Sequence, residues 1–200
     1  MTSDDLITIA QSYLGTVGNT PAFQDLLGPI AGNKNRDNPW PLDKPFINLK
    51  QGVSTCAVVA RGFLKKLSVP LGDYVTSSGL DDAIAYARTK NAWRTGKSAL
   101  CKGAVVELQG KTSIHVLTVE KIDGAKITSI DGGQVASNGL QTIKRCVRTW
   151  TPGFLGGVPI VGWIDVDEPG FLPEGKSSGG GGFAALLGAA AAFFFGVSGG

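Results

Sequence analysis

Gln51-Gly52-Val53-Ser54-Thr55-Cys56-Ala57-Val58-Val59-Ala60-Arg61-Gly62-Phe63-Leu64-Lys65-Lys66-Leu67 is the stretch from which the fold is read. Val58, Val59, Gly62, Phe63 and Leu67 recur at helical spacing, and Ser54 or Thr55 suits the capping position before a first turn. The spacing predicts a helix with Cys56 in its first turn. A thiol there faces unpaired backbone N–H groups and the positive end of the helix dipole. Both favour thiolate, the nucleophilic form. A Cys near a helix start also serves as a small buried hydrophobe, so Cys56 alone decides nothing. A second group comes from His115, the chain's one histidine. It falls on a predicted strand downstream, where it would act as a base toward the thiol.

Upstream, Ser3 to Tyr13 reads as a helix. Ser3 is its expected cap, Asp4 and Asp5 suit its first turn, and Leu6, Ile9, Ala10, Tyr13 and Leu14 form its stripe. Gly15 ends it, and Pro21 to Leu27 holds a short second helix. Residues 28–50 are loop-like, with Trp40 and Phe46 as anchors, a natural place for substrate contacts. Downstream, Pro70 and Gly72 break the chain before a helix over Leu80–Arg88. The period then changes to two. Strands are predicted at Ala104–Leu108, Ser113–Lys121, Ala125–Asp131, residues 140–149 and residues 158–166. Helices first and an antiparallel sheet second make an α+β fold. Residues 1–170 form the folded domain, 171–182 a Gly/Ser-rich linker and 183–200 an apolar tail. No internal repeat is evident.

The formal net charge is +3, from 19 basic and 16 acidic residues. Lys and Arg are scattered, with no basic block interleaved with aromatics, so no nucleic acid is expected as a partner. Met1-Thr2-Ser3-Asp4-Asp5-Leu6 lacks the basic and apolar regions of a secretory signal. Synthesis in a cytoplasm is expected, with any external action needing delivery by another machine. Cys56, Cys101 and Cys146 are too few for a disulfide framework and lack zinc-ligand spacing, so no metal is expected. Cys101 and Cys146 both fall on predicted strands, where adjacency would let them pair. In a reducing compartment all three remain thiols.

Asp123-Gly124 marks a hairpin turn. A three-residue loop, Ile122-Asp123-Gly124, pairs Lys121 with Ala125 and sets His115 opposite Asp131. A two-residue loop sets His115 opposite Gly132. In either register Asp131 is close enough to fix the imidazole tautomer and support an imidazolium. The competing reading makes Asp131-Gly132-Gly133 a plain turn. Gln134 is the alternative orienting group, through its amide. Gln51, with the Cys56 backbone N–H, is a candidate oxyanion donor; the plainer alternative for Gln51 is a solvated loop amide.

The order of a helix opening on Cys, a Lys102-Gly103-Ala104-Val105-Val106-Glu107-Leu108 strand, a His115-Val116 strand and a further strand ending in a polar residue resembles a known group. It is similar to the cysteine, histidine-dependent amidohydrolase/peptidases and the related NlpC-type cell-wall peptidases, which share a compact papain-like α+β core. The helix ending near Leu14-Gly15 looks like their opening helix, and the resemblance spans roughly residues 3–166. Two features differ from the group's usual pattern. Cys56 follows Ser54-Thr55 rather than Asp, and precedes Ala57-Val58 rather than Ser-Gly. The resemblance implies amide hydrolysis through a thioester. Cys56 would attack, His115 would act as base and then acid, and Asp131 or Gln134 would orient the ring. It also implies peptidoglycan as substrate and no organic cofactor.

Phe183 to Val197 is mostly apolar. As a helix it would be about 22 Å long at 1.5 Å per residue. That falls short of a bilayer core of about 30 Å. Partial membrane insertion or docking on a virion or secretion-machine partner is the expectation. A wall-cleaving domain on a flexible linker, delivered by a phage particle or secretion system, fits this layout by analogy. Two alternatives stay open. One is a non-catalytic phage or bacterial assembly protein with a papain-like fold, attached through the tail. The other is an intracellular cysteine hydrolase acting on protein amides.

Overall fold

Apolar spacing sets the helices, and a change to alternation sets the strands. A computed structural model describes residues 1–18, 20–28, 55–73, 75, 79–111, 113–135 and 140–173. Among these are four helices: α1 (Ser3–Ser12), α2 (Pro21–Leu27), α3 (Thr55–Lys66) and α4 (Asp81–Thr89). All four fall where the sequence pattern puts them. The start of α1 differs in one respect. Thr2, not Ser3, precedes the helix, and its N–H donates to the Asp5 carboxylate at 2.8 Å. Ser3 is instead buried, and its N–H donates to Asp167 at 2.8 Å.

Helix α3 is buried all round from Thr55 to Leu64, not along one stripe. That burial includes a charge. The Arg61 guanidinium reaches the Asp82 carboxylate at 2.6 Å and the Gly72 carbonyl at 2.6 Å. A buried charge is tolerated when paired and hydrogen-bonded, and this pair ties α3 to the first turn of α4. Gly62 lets α2 approach α3, since a Cβ there would lie 2.4 Å from the Leu26 carbonyl oxygen.

Seven strands are described: β1 (Trp93–Thr95), β2 (Val105–Gln109), β3 (Ile114–Asp123), β4 (Lys126–Val135), β5 (Gln141–Thr151), β6 (Phe154–Leu155) and β7 (Val158–Ile164). Their order is β1-β7-β2-β3-β4-β5-β6, with antiparallel pairs throughout. The fold is α+β, as the pattern predicts. The short strands β1 and β6 carry too few residues to show alternation, and the sequence does not reveal them. β6 matters nonetheless. It pairs with β5 and with β7, so the ladders from β2 to β7 close into a ring.

Closure gives two cores. Val105 and Val116 face the helices with Leu6, Phe23, Val59 and Phe63. Their chain neighbours Val106 and Leu117 face the opposite way, with Val119, Ile127, Leu155 and Trp163. The second cluster is drawn from the strands and their connections, and fills the ring.

The β3–β4 hairpin takes neither of the expected registers. Asp123 faces Lys126, so Gly124 and Ala125 form the tip, with Gly124 at φ 56°. A bulge at Glu120 then shifts the pairing, and Val119 faces Ser129. Gly124 supplies the positive φ that the first position of a two-residue hairpin tip requires. Packing also extends past Gly170. Phe171 is fully buried, with its ring centroid 5.5 Å from that of Tyr86. Residues 29–54, which include Gln51, and residues 174–200, which include the apolar tail, lie outside the described residues.

Candidate active site

The site forms where the β3–β4 ladder opens. Pairing ends at Thr118 and Ile130, and beyond it the start of α3 enters between the strands. Cys56, in the first turn of α3, is 5 % exposed. Its Sγ accepts the Val116 N–H at 3.3 Å and lies 4.0 Å from the Ile114 carbonyl oxygen. Two β3 residues that flank His115 thus hold the thiol beside the imidazole.

Two adjacent glycines make this approach sterically feasible. A Cβ on Gly132 would lie 2.5 to 2.8 Å from the Val59 side chain. Gly133 has φ 69°, and a Cβ there would lie 3.3 Å from the Cys56 backbone nitrogen. Side chains at these positions would push β4 off the helix start and crowd the Cys56 N–H. Asp131-Gly132-Gly133 is therefore strand β4 with a bulge between Asp131 and Gln134, and not a plain turn.

His115 Nε2 lies 2.6 Å from Asp131 Oδ2. Asp131 and the Cys56 thiol both act on the ring's proton affinity. Burial by itself pulls the imidazole pKa down. The hydrogen bonds to Asp131 and Cys56, and the charges of both, outweigh burial and push it up to about 9. His115 therefore favours the imidazolium at neutral pH.

Asp131 has no exposed side-chain surface. Besides His115, its Oδ2 accepts from Arg148 Nη2 at 2.6 Å, and its Oδ1 accepts from Ser129 Oγ at 2.6 Å. Arg148 Nη1 in turn donates to Ser129 Oγ at 2.7 Å. Burial would raise this carboxyl's pKa, but the bonds to His115, Arg148 and Ser129 hold it below the ordinary carboxylate range. The network follows the inward alternation of the ring: Ser129 and Asp131 continue from Ile127, and Arg148 precedes Trp150 by two.

Cys56, His115 and Asp131 are thus brought together. Gln134 is not, because its amide Nε2 donates to the Gly132 carbonyl at 3.5 Å rather than reaching the imidazole. Gln51 lies outside the described residues. Cys101 and Cys146 are free thiols and do not pair with each other. Arg148 and Ser129 escaped the sequence reading. Ser129-x-Asp131 carries a visible two-residue alternation, but Arg148 joins it only once β5 is in register. Among the described residues no cluster of His, Cys, Asp and Glu is placed to hold a metal ion, and no helix is long and apolar enough to cross a membrane.

The fold and the site define a Cys–His–carboxylate constellation on an α+β scaffold. No protein-family model matches the chain, and no curated protein matches it. Among solved structures, the chain is similar to the crystal structure of Ly7917 with the hydrolyzing product of MDP, at 16% identity and TM-score 0.44. It is similar also to the crystal structure of Ly7917 itself, at 15% identity and TM-score 0.43. In both cases 82% of this chain is covered, and it spans 62% of the length of the other.

Proposed function

We propose that the chain is a cysteine amidohydrolase or endopeptidase that cleaves amide bonds of peptidoglycan on a papain-like core. The observation that carries the reading is the gathering of three groups: the backbone on either side of His115 holds Cys56 Sγ, and His115 Nε2 meets the buried Asp131 at 2.6 Å. The motif order of the Cys helix and the His strand supports the wall-peptidase assignment.

The chemistry follows from the arrangement. Cys56 Sγ, as thiolate beside the imidazolium, attacks the amide carbonyl carbon, and the π electrons move to oxygen. The Cys56 backbone N–H, in the first turn of α3, would serve as a donor to that oxyanion. Collapse breaks the C–N bond, and the leaving amine takes the proton from His115, leaving a thioester. Water then attacks with His115 as base, which releases the carboxylic acid and regenerates the thiolate–imidazolium pair. Asp131 holds the ring in place and stabilises its charged form in both half-reactions.

Digestion of purified peptidoglycan, read by mass spectrometry, tests the proposal. The protein should release fragments with a new amine and a new carboxylate, while folded Cys56→Ala releases none. Fragment release by Cys56→Ala would overturn the nucleophile. An intact wall alongside cleaved protein amides would move the substrate to that other class.

A further inference from the structure

We propose that Arg148 is a positioning residue that sets the proton affinity of His115 through the carboxylate oxygen they share. The inference rests on the Cys–His reading for its consequence in catalysis, but its physical claim concerns His115 alone.

Asp131 Oδ2 lies 2.6 Å from His115 Nε2 and 2.6 Å from Arg148 Nη2. One oxygen therefore serves two cationic donors. Arg148 Nη1 also reaches Asp131 Oδ1 at 3.2 Å and Ser129 Oγ at 2.7 Å, so the fork is held at both ends. Gly156 supports its stem, since a Cβ there would lie 3.4 Å from Arg148 Cδ. An arginine cannot give up its proton, so this cation is permanent.

Two effects follow, of opposite sign. Arg148 adds to the bonds that hold Asp131 ionised against burial, which favours the imidazolium. It also shares the charge of Oδ2 and places a like charge near the ring, which disfavours the imidazolium. Asp131 retains His115 and Ser129 as partners if Arg148 is lost, so it stays ionised and the second effect decides. Arg148 thus moderates His115, keeping the imidazolium acidic enough to protonate a leaving amine.

The other groups around the ring leave the role to this residue. From α3 the facing group is the Cys56 thiol, and from β4 it is Asp131. On β2 the residue opposite His115 is Leu108, which carries no charge. On β5, Cys146 and Lys144 flank the network. Burial first, and then Asp131, hold the Cys146 thiol above its ordinary pKa, partly offset by Arg148 and Lys144.

Because His115 is the one histidine, its ring gives a single assignable Hε1 resonance. NMR titration of the full chain reads its pKa without any assay of activity. Arg148→Gln should raise that pKa by about one unit or more. Arg148→Lys, which keeps the charge, should stay near the wild-type value. In Arg148→Gln the basic limb of kcat/KM should move upward by the same amount. Ser129→Ala loosens the fork without removing the cation, and should raise the pKa by a few tenths of a unit. A folded Arg148→Gln whose His115 titrates unchanged, or lower, overturns the proposal. If that variant does not fold, an unchanged Ser129→Ala titration overturns it instead. Failure of the hydrolase reading looks different: the wild type would cleave neither peptidoglycan nor protein amides while the titration shifts persist.

Discussion

Cys56 and Cys101 are the same chemical group in opposite surroundings, and exposure ranks them the wrong way. Cys56 is buried, while Cys101 is partly exposed. Cys56 sits at a helix start, receives the Val116 N–H and meets an imidazole that favours its charged form. Cys101 lies 3.8 Å from the Asp165 carboxylate. Burial, then the charges of Asp165 and Asp167, push its pKa up to about 12. Donors and cations gather at one sulfur, carboxylates at the other. Neighbouring charge, rather than access, decides which of the two thiols favours the thiolate form.

The largest effect is expected from removal of the proposed nucleophile. Cys56→Ala should lower amide hydrolysis by on the order of 10⁴-fold or more. Iodoacetamide at pH 6, followed by peptide mapping, should label Cys56 before Cys101 and Cys146. Faster labelling of Cys101 would sink the assignment.

Next in size is the carboxylate. Asp131→Asn, compared as folded protein, should reduce kcat/KM by roughly 10²- to 10⁴-fold. It should also lower the His115 pKa toward the ordinary 6.5. In the wild type, kcat/KM should fall about tenfold per pH unit above about 9, as the imidazolium is lost. The stability linked to His115 has the same sign. The folded value lies above the ordinary one, so its contribution is full below about pH 6.5 and disappears as pH rises through about 9. Asp131 has the opposite shift, so its contribution is present above the ordinary carboxylate range and is lost in acid. Denaturant titrations at pH 5, 7 and 10 read the His115 contribution, and comparison of pH 5 with pH 2 reads that of Asp131.

The fit between β4 and α3 gives a smaller effect. Gly132→Ala places a Cβ against Val59 and should destabilise the fold by about 2–3 kcal/mol, measured by chemical denaturation. The smallest change is expected at Gln134, whose amide bonds a backbone carbonyl. Gln134→Ala should alter kcat/KM less than about threefold, within the net contribution of one neutral hydrogen bond. A loss as large as that of Asp131→Asn would reinstate Gln134 as the orienting group.

The sequence by itself determined the four helices, the five longer strands, the α+β class and the pairing of Cys56 with His115 as candidates. Each rests on local information: apolar spacing, capping chemistry and the rarity of histidine. Asp131 was legible too, because a carboxylate near the end of the next strand stays on the imidazole's face when the register slips by two. The tertiary structure decided the rest. It set the hairpin tip at Gly124-Ala125, closed the ring through the two-residue β6 and put Asp131, not Gln134, beside the imidazole. It alone brought Arg148 and Ser129 to the carboxylate. Those features depend on pairings between distant strands and on the close approach of Gly132 and Gly133 to α3. Such contacts are fixed by packing of the whole chain, and no window of sequence contains both partners.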